Sequence, residues 1–475
     1  LNKQKALISL FEQWAGESHT EFYPLPPSGS YREYYRIKSK NKTAIGVYNA
    51  DPKENKAFIT FSEHFKSKGL NVPEIFGKDL NKNIYLEEDL GDITLFSYLT
   101  AVRKNGDFPA EVYDVYKKVL ELLPRFQIEA AKDLDYSVCY PRAKFDRQSM
   151  MWDLNYFKYY FLKLAKIPFE EQALENDFQR FVDYLLSADD DYFLYRDFQS
   201  RNIMLKNNAP YFIDYQGGRR GALQYDVASL LYDAKADIPQ LVRNELLRYY
   251  LKVLRDFIDV DERKFVEYYY GYALIRIMQA CGAYGFRGFY EKKEHFLKSI
   301  PYAVENLRWL LDNIELPIKI PALQKALFEI TESAELKKFN VKKREYKLKV
   351  TIYSFSFKKG IPSDSHGNGG GFVFDCRGII NPGRFEEYKL LTGADLEVVN
   401  FLESKTKVSE FLSHVFKLVD MTVENYIQRK FTHLMVSFGC TGGQHRSVYC
   451  ANKLAEHLKE NFELDVNLIH RELEL

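Results

Sequence analysis

The sequence predicts two folded parts in series: a two-lobed α+β domain over the first two thirds, and an α/β domain with a largely parallel sheet over the last third. Three patterns carry this prediction. Period-two alternation of apolar residues is concentrated before residue 89; helical periodicity dominates from Leu90 to about Leu186; strands alternate with helices from residue 346 onward. A chain of 475 residues exceeds one ordinary core, so about two to four domains are expected. The boundaries drawn are 1–88 and 89–316 for the two lobes, 317–345 for a basic linker and 346–475 for the last domain.

Composition narrows the classes of function. With 46% hydrophobic and 16% aromatic residues each part can bury a core, and a net charge of +1 gives no global pull toward nucleic acid or membrane. The five cysteines, Cys139, Cys281, Cys376, Cys440 and Cys450, show neither a CxxC pair nor a metal-ligand spacing. That usage suits a reducing cytoplasm, which is the expected location. No apolar run approaches the length of a membrane span, and the first residues lack a signal-peptide pattern.

The chain opens with KALISLFEQWAG, which puts Leu7, Ile8, Phe11, Trp14 and Ala15 on one helix face ended by Gly16. Two alternating strands follow around the turn SKNK, preceded by Ser28, Gly29 and Ser30. A small loop there can lay backbone N–H groups over nucleotide phosphates; a plain turn is the alternative. A helix from about Glu54 to Lys68 turns Phe58, Phe61 and Phe65 inward, and the strand NIYLEEDLGD then ends in acidic residues. In the aromatic helical stretch beyond, Trp152, Tyr156, Tyr159 and Tyr160 fall at helical spacing. Such a stripe reads as core, with a sugar-stacking face as the alternative.

The chemistry centres on YRDFQSRNIMLKNNAPYFIDYQGG, from Tyr195 to Gly218. Asp197 and Asn202 precede the apolar run Ile203 to Leu205, the turn KNNAP, a second run Tyr211 to Ile213, and Asp214. A β-hairpin would return the chain on itself and bring Asp197, Asn202 and Asp214 to one edge. Phosphoryl transfer from ATP needs a carboxylate to orient the acceptor hydroxyl and oxygen ligands to hold Mg2+ on the phosphates. Asp197 fits the first role, Asn202 and Asp214 the second. Farther on, Asp226 opens a helix, and Arg219 and Arg220 face either an anionic acceptor or solvent.

These motifs resemble the catalytic and metal loops of the protein-kinase-like superfamily, in its aminoglycoside and choline phosphotransferase branch. Two departures are visible: Tyr195 stands where His is common, and Tyr215-Gln216 follows Asp214 in place of Phe-Gly. The phrases YLEEDLGD, DLNYFKYYF and MQACGAYGFRGFYEKKEHFLKSIPYAVENLRWLL resemble the anomeric kinases of N-acetylmuramate and N-acetylglucosamine, over about residues 5 to 315. The resemblance implies a bilobal protein-kinase-like fold, ATP and Mg2+ as cofactors and an amino-sugar acceptor. It also implies a lobe hinge whose backbone bonds the adenine edge near Glu87 to Asp89, and a bracing role for Asp226. The strand lysine that relatives use against the phosphates has no counterpart in Ala44 to Tyr48, which leaves Arg32 or Arg36 as the nearest cations.

Beyond the run Lys337, Lys338, Lys342, Lys343, Arg344, Lys347 and Lys349, a solvated linker or a nucleic-acid contact, the motif GCTGGQHRS lies between a buried strand and a helix start. Small residues there let N–H groups converge on an anion, and His445 and Arg446 add charge. Cys440 and Arg446 also carry the C-x5-R-S spacing of cysteine phosphatases, with a structural thiol as the alternative. SFSFKKGIP, FVFDCRGIINPG, LTG, GCTGGQHRSV and HREL together resemble the carboxy-terminal domain of the RNase adapter protein (RapZ or YvcJ) family, across about residues 346 to 475. That resemblance implies a phosphorylated amino sugar as ligand and small RNA as a further partner. Carried over by motif, Lys358, Asp375, Arg377, Asn381, Thr441, Gly442, Gly443, Gln444, His445, Arg446, His470 and Arg471 line the anion site. The insertion SDSHGNGGG reads as a lid or a plain loop. The combined expectation is an ATP-dependent amino-sugar kinase fused to a phosphosugar-sensing domain, without a membrane partner. The alternatives are a pseudokinase adapter binding RNA or phosphosugar, and a kinase for choline, an aminoglycoside or a nucleoside.

Overall fold

The computed structural model describes residues 3–26, 32–103, 108–339, 348–364, 370–429 and 431–473. The chain forms two compact units, one of Leu1–Ile238 and Val242–Lys343, the other of Arg344–Leu475 with Pro239–Leu241. Each has its own apolar core.

In the first unit β1 (Glu21–Pro24), β2 (Glu33–Lys38), β3 (Thr43–Tyr48), β4 (Ile75–Asp79) and β5 (Ile84–Glu88) pair in the order β1-β2-β3-β5-β4, antiparallel throughout. Alternation along the strands assigns the faces. Tyr35, Ile37, Ala44, Ile84 and Leu86 pack on Leu7 and Phe11 of the helix Lys3–Ala15. Ile45, Val47 and Tyr85 point the other way and join the main core, where the helix Pro52–Ser67 contributes Phe58, Phe61 and Phe65. That helix starts where Asp51 accepts from the N–H groups of Lys53 and Glu54, with Pro52 in the first turn. Strand register places Arg36, Ile45 and Glu87 in one row across the sheet, and Tyr34, Val47 and Tyr85 in the next.

The helical lobe is organised around Glu262–Tyr284, which is buried on most sides and packs against the helices Arg147–Phe157 and Leu223–Leu231. A Cβ at Gly285, just past its end, would lie 1.9 Å from the Tyr160 carbonyl oxygen, so only glycine permits that approach. The aromatic stripe departs from expectation. Leu154, Phe157 and Phe161 supply the core, whereas Trp152 and Tyr159 are 46% and 47% exposed. The helix widens into a π turn over Lys158–Leu162, and Trp152, before it, and Tyr159, within it, both lie off the buried face.

Small strands complete the unit: β6 (Tyr192–Leu194) pairs with β9 (Arg219–Gly221), and β7 (Ile203–Lys206) forms a hairpin with β8 (Ala209–Phe212). Asn207 and Asn208 in the hairpin turn have φ of 52° and 60°, the left-handed pair a two-residue hairpin favours. Much of the stretch expected to link the domains is folded into this unit. The helix Pro321–Glu332 buries Leu323, Leu327 and Ile330, and the Leu323 N–H donates to Asp177 at 3.0 Å. Lys342, Lys343, Arg344 and Lys347 of the basic run lie outside the described residues.

The second unit holds a fully parallel sheet in the order β11-β12-β10-β13, with β10 at Lys349–Ser356, β11 at Phe372–Asp375, β12 at His433–Cys440 and β13 at Asp465–His470. The helix Val408–Gln428 buries Val408, Leu412 and Val415 as its pattern predicts, while Phe411 is half-buried. The helix Leu396–Lys405 has no counterpart in the sequence reading; it turns only Val398 and Leu402 fully inward. Part of the glycine-rich insertion, residues 365–369, lies outside the described residues.

Candidate functional site

The hairpin brings the three phosphoryl-transfer candidates together. Asn202 stands one residue before β7 and Asp214 two after β8; the paired ends meet where the Ile213 N–H donates to the Asn202 carbonyl at 3.1 Å. The Asn202 side-chain Nδ2 donates to the Asp197 carbonyl at 2.9 Å and to Asp214 Oδ2 at 3.1 Å. With the amide nitrogen committed twice, the amide oxygen is the atom left for a cation. Asp214 holds φ of 69° and also accepts from Gln216 Nε2 at 2.7 Å. Enclosure and the neighbouring Asp197 push the Asp214 carboxyl above its ordinary range. A carboxylate and an amide oxygen are hard donors that suit Mg2+, which takes its remaining ligands from phosphate and water. Among the described residues no cluster of three or more His, Cys, Asp or Glu could hold a metal.

One of the two cations the sequence offers in place of a β3 lysine lies just before β2 and reaches the metal-loop candidate. Arg32, with its side chain 2% exposed, donates to Glu54 Oε2 at 3.1 Å and reaches Asp214 Oδ1 at 3.5 Å. Glu54 lies in the first turn of the helix Pro52–Ser67 and also accepts from Asn49 Nδ2. Desolvation works against the charge on Arg32, but Tyr85, Tyr34, Asp214 and Glu54 outweigh it and raise the guanidinium above its ordinary value. Arg36, the other sequence candidate, is spent on Asp89 at 2.7 Å and Asp92 at 2.9 Å. The Asp89 carboxylate therefore clasps the connection between the lobes, with the Gly91 N–H as a further donor. Glu87 is buried on the Arg36 row of the sheet. Ser28, Gly29 and Ser30 lie outside the described residues.

Asp226 is fully buried in the first turn of Leu223–Leu231 and accepts from the N–H groups of Tyr195 at 2.8 Å and Arg196 at 3.1 Å, and from Gln127 Nε2 at 3.2 Å. Burial pushes its carboxyl up to about 7 despite these donors. It thus braces the strand end that carries Asp197. Arg196, at φ 83°, spans Asp153 at 2.6 Å and the Tyr225 hydroxyl at 2.9 Å.

Sequence reading misses Arg276, whose guanidinium lies 3.9 Å from Asp197 Oδ1 and donates to Ser229 and Gln279. The available signal is an arginine in the middle of a helix apolar all round, where a charge stays only if it is paired. Neither Arg219 nor Arg220 is free for an acceptor: Arg219 is buried and donates to the Gly217 carbonyl at 2.9 Å, while Arg220 pairs with Asp191 and stacks over Tyr136.

In the second unit the predicted anion residues gather at the carboxyl ends of the strands, the edge where parallel sheets bind ligands. Lys358 follows β10, Asp375 ends β11 with Arg377 just beyond, Thr441 to Arg446 follow β12, and His470 ends β13 with Arg471 after it. Ser356 and Cys440 are register partners, as are Ser354 and His470. The Ser356 hydroxyl donates to the Thr441 carbonyl at 2.7 Å, and His470 Nδ1 meets the Ser354 hydroxyl at 2.8 Å. Gly443 has φ of +73°, and a Cβ there would lie 2.3 Å from Glu472, so the loop needs glycine. Thr441 and Gly442 are exposed ahead of the helix Arg446–Asn461, whose N-terminus favours an anion.

The charged members divide between open and structural duties. Lys358 is exposed, Arg377 pairs with Asp375 at 2.7 Å, and Asn381 accepts from the Gly383 N–H. Gln444 donates to the Leu391 carbonyl, His445 meets the Tyr388 carbonyl, and Arg471 donates to the Gly360 carbonyl. Arg446 is buried and donates to the carbonyls of Arg377 at 3.1 Å and Ile379 at 2.9 Å. Burial would raise the Cys440 thiol, but donation from Ser447 Oγ at 3.2 Å and the Gly443 N–H at 3.1 Å outweighs it and holds the thiol below its ordinary value. Lys359, which the motif reading omits, pairs with Glu472 at 2.5 Å beside this loop.

A model of the phosphotransferase enzyme family matches residues 25–264, just over half of the chain, and a model of the RapZ C-terminal domain matches residues 348–474. Among curated proteins, a nucleotide-binding protein of Clostridium acetobutylicum is 41% identical over 130 residues, 27% of this chain and 42% of its own length. One of Agathobacter rectalis is 34% identical over 181 residues, 38% of this chain and 59% of its own. The chain spans about half the length of the curated relatives it matches. Among solved structures, a choline kinase of Streptococcus pneumoniae aligns at 16% identity and a TM-score of 0.43, over 64% of this chain and 100% of that one. A spectinomycin phosphotransferase aligns at 13% and 0.43, over 69% and 98%. No helix among the described residues is long and apolar enough to cross a membrane.

Proposed function

The chain belongs to the phosphotransferase enzyme family and carries a RapZ C-terminal domain, and on that premise we propose that its first unit transfers the γ-phosphoryl group of ATP to a hydroxyl of an amino sugar of the N-acetylmuramate or N-acetylglucosamine class. The observation that carries this reading is the meeting of Asp197, Asn202 and Asp214 with Arg32. Asp197 faces the acceptor hydroxyl, orients it and takes its proton as the oxygen attacks phosphorus. Magnesium, when bound, neutralises charge on the phosphates, and the Asn202 amide oxygen with the Asp214 carboxylate would hold it. Arg32 stands where a cation meets the α- and β-phosphates, locked by Glu54, so the empty lysine position on β3 does not require a dead enzyme. The connection after β5 lays its backbone along the base. The amino-sugar class rests on the sequence resemblance in YLEEDLGD, DLNYFKYYF and the stretch from Met278 to Leu311.

The second unit, on this reading, binds a phosphorylated amino sugar at the carboxyl edge of its sheet, so a product of the first unit, or a relative of it, acts as regulator. ADP release with ATP and magnesium over N-acetylglucosamine, N-acetylmuramate, glucosamine, choline and kanamycin tests the kinase. Turnover on an amino sugar that vanishes in Asp197→Asn is the expected result. Turnover on choline or kanamycin alone replaces the acceptor; ATP binding with no turnover on any acceptor, together with salt-sensitive RNA binding, moves the chain to a regulatory adapter.

A further inference from the structure

Beside the catalytic loop lies a polar cavity to which nothing above gives a role. Gln199, Ser229, Asp233, Arg276, Tyr284 and Asn306 line it, where the loop that carries Asp197 meets the helices Leu223–Leu231, Glu262–Tyr284 and Ile300–Asn313. At about 20 Å3 it has room for one water-sized group. It admits a substituent of a sugar and not its ring. Gln199 and Tyr284 are only half-buried, and the Asp197 side chain is 39% exposed. Arg276 joins the cavity to the base: its Nε and Nη1 donate to Ser229 and Gln279, while Nη2 lies 3.9 Å from Asp197 Oδ1, beyond hydrogen-bond length. One donor therefore stays uncommitted next to the reacting hydroxyl.

Further cations gather on the same side. Arg201 follows the base in the catalytic loop, Lys235 sits in the turn Ala234–Ala236 just past Asp233, and Lys298 stands between the helices Glu294–Leu297 and Ile300–Asn313. Lys235 Nζ donates to the His295 carbonyl at 3.0 Å and Arg201 lies over the Phe96 ring, but among the described residues none of the three cations is ion-paired. Burial first, then Arg201 and Lys298, hold the Lys235 ammonium below its ordinary value. Burial, with Lys235, Lys293, Arg201 and Lys298, does the same to His295. Burial and Asp233 raise the Tyr284 hydroxyl against the opposing pull of Arg276 and Arg201, which ties the cluster to the cavity. Asp233 itself is spent on the N–H and hydroxyl of Ser200. Like charges held together without a counter-ion are relieved by a bound anion. Resting on the reading of the first unit as an amino-sugar kinase, we propose that this wall is the acceptor's anion receptor: a carboxylate on the sugar docks at Arg276 and the cluster of Arg201, Lys235 and Lys298 while a neighbouring hydroxyl meets Asp197. Asp197 and Asp233 already stand on this side, so a singly charged carboxylate meets less repulsion than a doubly charged phosphate. Within the proposed class, N-acetylmuramate is then the good substrate and neutral N-acetylglucosamine the poor one.

The experiment is calorimetric binding of N-acetylmuramate and N-acetylglucosamine to the full chain with magnesium and a non-hydrolysable ATP analogue, alongside ADP release from ATP on each sugar. The parent is expected to hold the acid at least about tenfold tighter than the neutral sugar, a preference that falls as salt rises. Replacing both lysines, Lys235→Met with Lys298→Met, brings the ratio to within about threefold, and Lys235→Arg with Lys298→Arg, which keeps the charges, retains most of it. No preference for the acid in the parent, or one unchanged in the methionine variant, overturns the receptor. ADP release on N-acetylglucosamine alone overturns it too, while leaving the amino-sugar kinase in place. Binding of the acid that depends on the two lysines, without ADP release on either sugar, upholds the receptor and overturns the kinase. Binding of neither sugar overturns both.

Discussion

At the scale of single residues, the site holds charges in places where solvation is poor. The Glu87 carboxyl is lifted from 4.5 to about 8 by burial, eased by Arg32 and aggravated by Asp89. The folded chain therefore keeps a proton there that the unfolded chain releases, and between those values the folded state binds more protons. Its stability from this group falls as pH rises, by about 1.4 kcal/mol per unit. Glu87→Gln removes the titration, so its melting temperature should exceed the parent's by a margin smallest near pH 5 and largest at about pH 8 and above. A margin constant over that range would show a solvated carboxyl. Arg32 is the second case. Arg32→Met should lower kcat/KM for ATP by about 100- to 1000-fold. Arg32→Lys should restore only part, because a point charge cannot span Glu54 and Asp214 as a guanidinium does; full activity in Arg32→Met would place the phosphate cation elsewhere.

Elements, one level up, explain how those residues are aimed and how much of the aim is written in the sequence. The β7–β8 hairpin is readable because its turn, Asn207-Asn208, carries the residues that accept positive φ, and its flanks alternate. Convergence of Asn202 and Asp214 follows from that alone. The role of Asp226 is visible only in three dimensions, since an acidic residue at a helix start reads equally as a cap. Asp226→Ala leaves the N–H groups of Tyr195 and Arg196 without their acceptor in the interior and should cost about 2–3 kcal/mol. The accompanying loss in kcat should exceed the loss in ATP affinity, measured by single turnover and binding. The aromatic stripe of Trp152 and Tyr159 is misread as core because helical spacing groups residues on one face without saying whether that face turns inward, and here the neighbouring face of Leu154, Phe157 and Phe161 does. Arg276 escapes because its partner, Asp197, is remote in sequence and the helix between offers no motif.

For the molecule as a whole, the two cores are separate: one gathers around Glu262–Tyr284 and the helix Pro52–Ser67, the other around the parallel sheet. Calorimetry of the full chain should resolve two transitions, with ATP and magnesium shifting one and a phosphorylated amino sugar the other. A single transition moved equally by both ligands would contradict the division. The division itself is legible in the sequence, where period-two strands give way to helices and then to strict alternation of both. The position of the helix Pro321–Glu332 is not, because its apolar stripe fits either a linker helix or a core helix, and only the folded structure, with Leu323, Leu327 and Ile330 buried in the first core and Leu323 bonded to Asp177, distinguishes them.

The residues predicted to line an anion site in the second unit come from four strand ends that together span more than a hundred positions of the chain, from Lys358 to Arg471. No local fragment contains all of them. A ligand there would hold the sheet closed from its outermost strand to its innermost, slowing amide exchange throughout β10 to β13 instead of in one loop. Occupancy would then be reported by the rigidity of the whole unit, which gives a small molecule a handle on any partner that reads that surface.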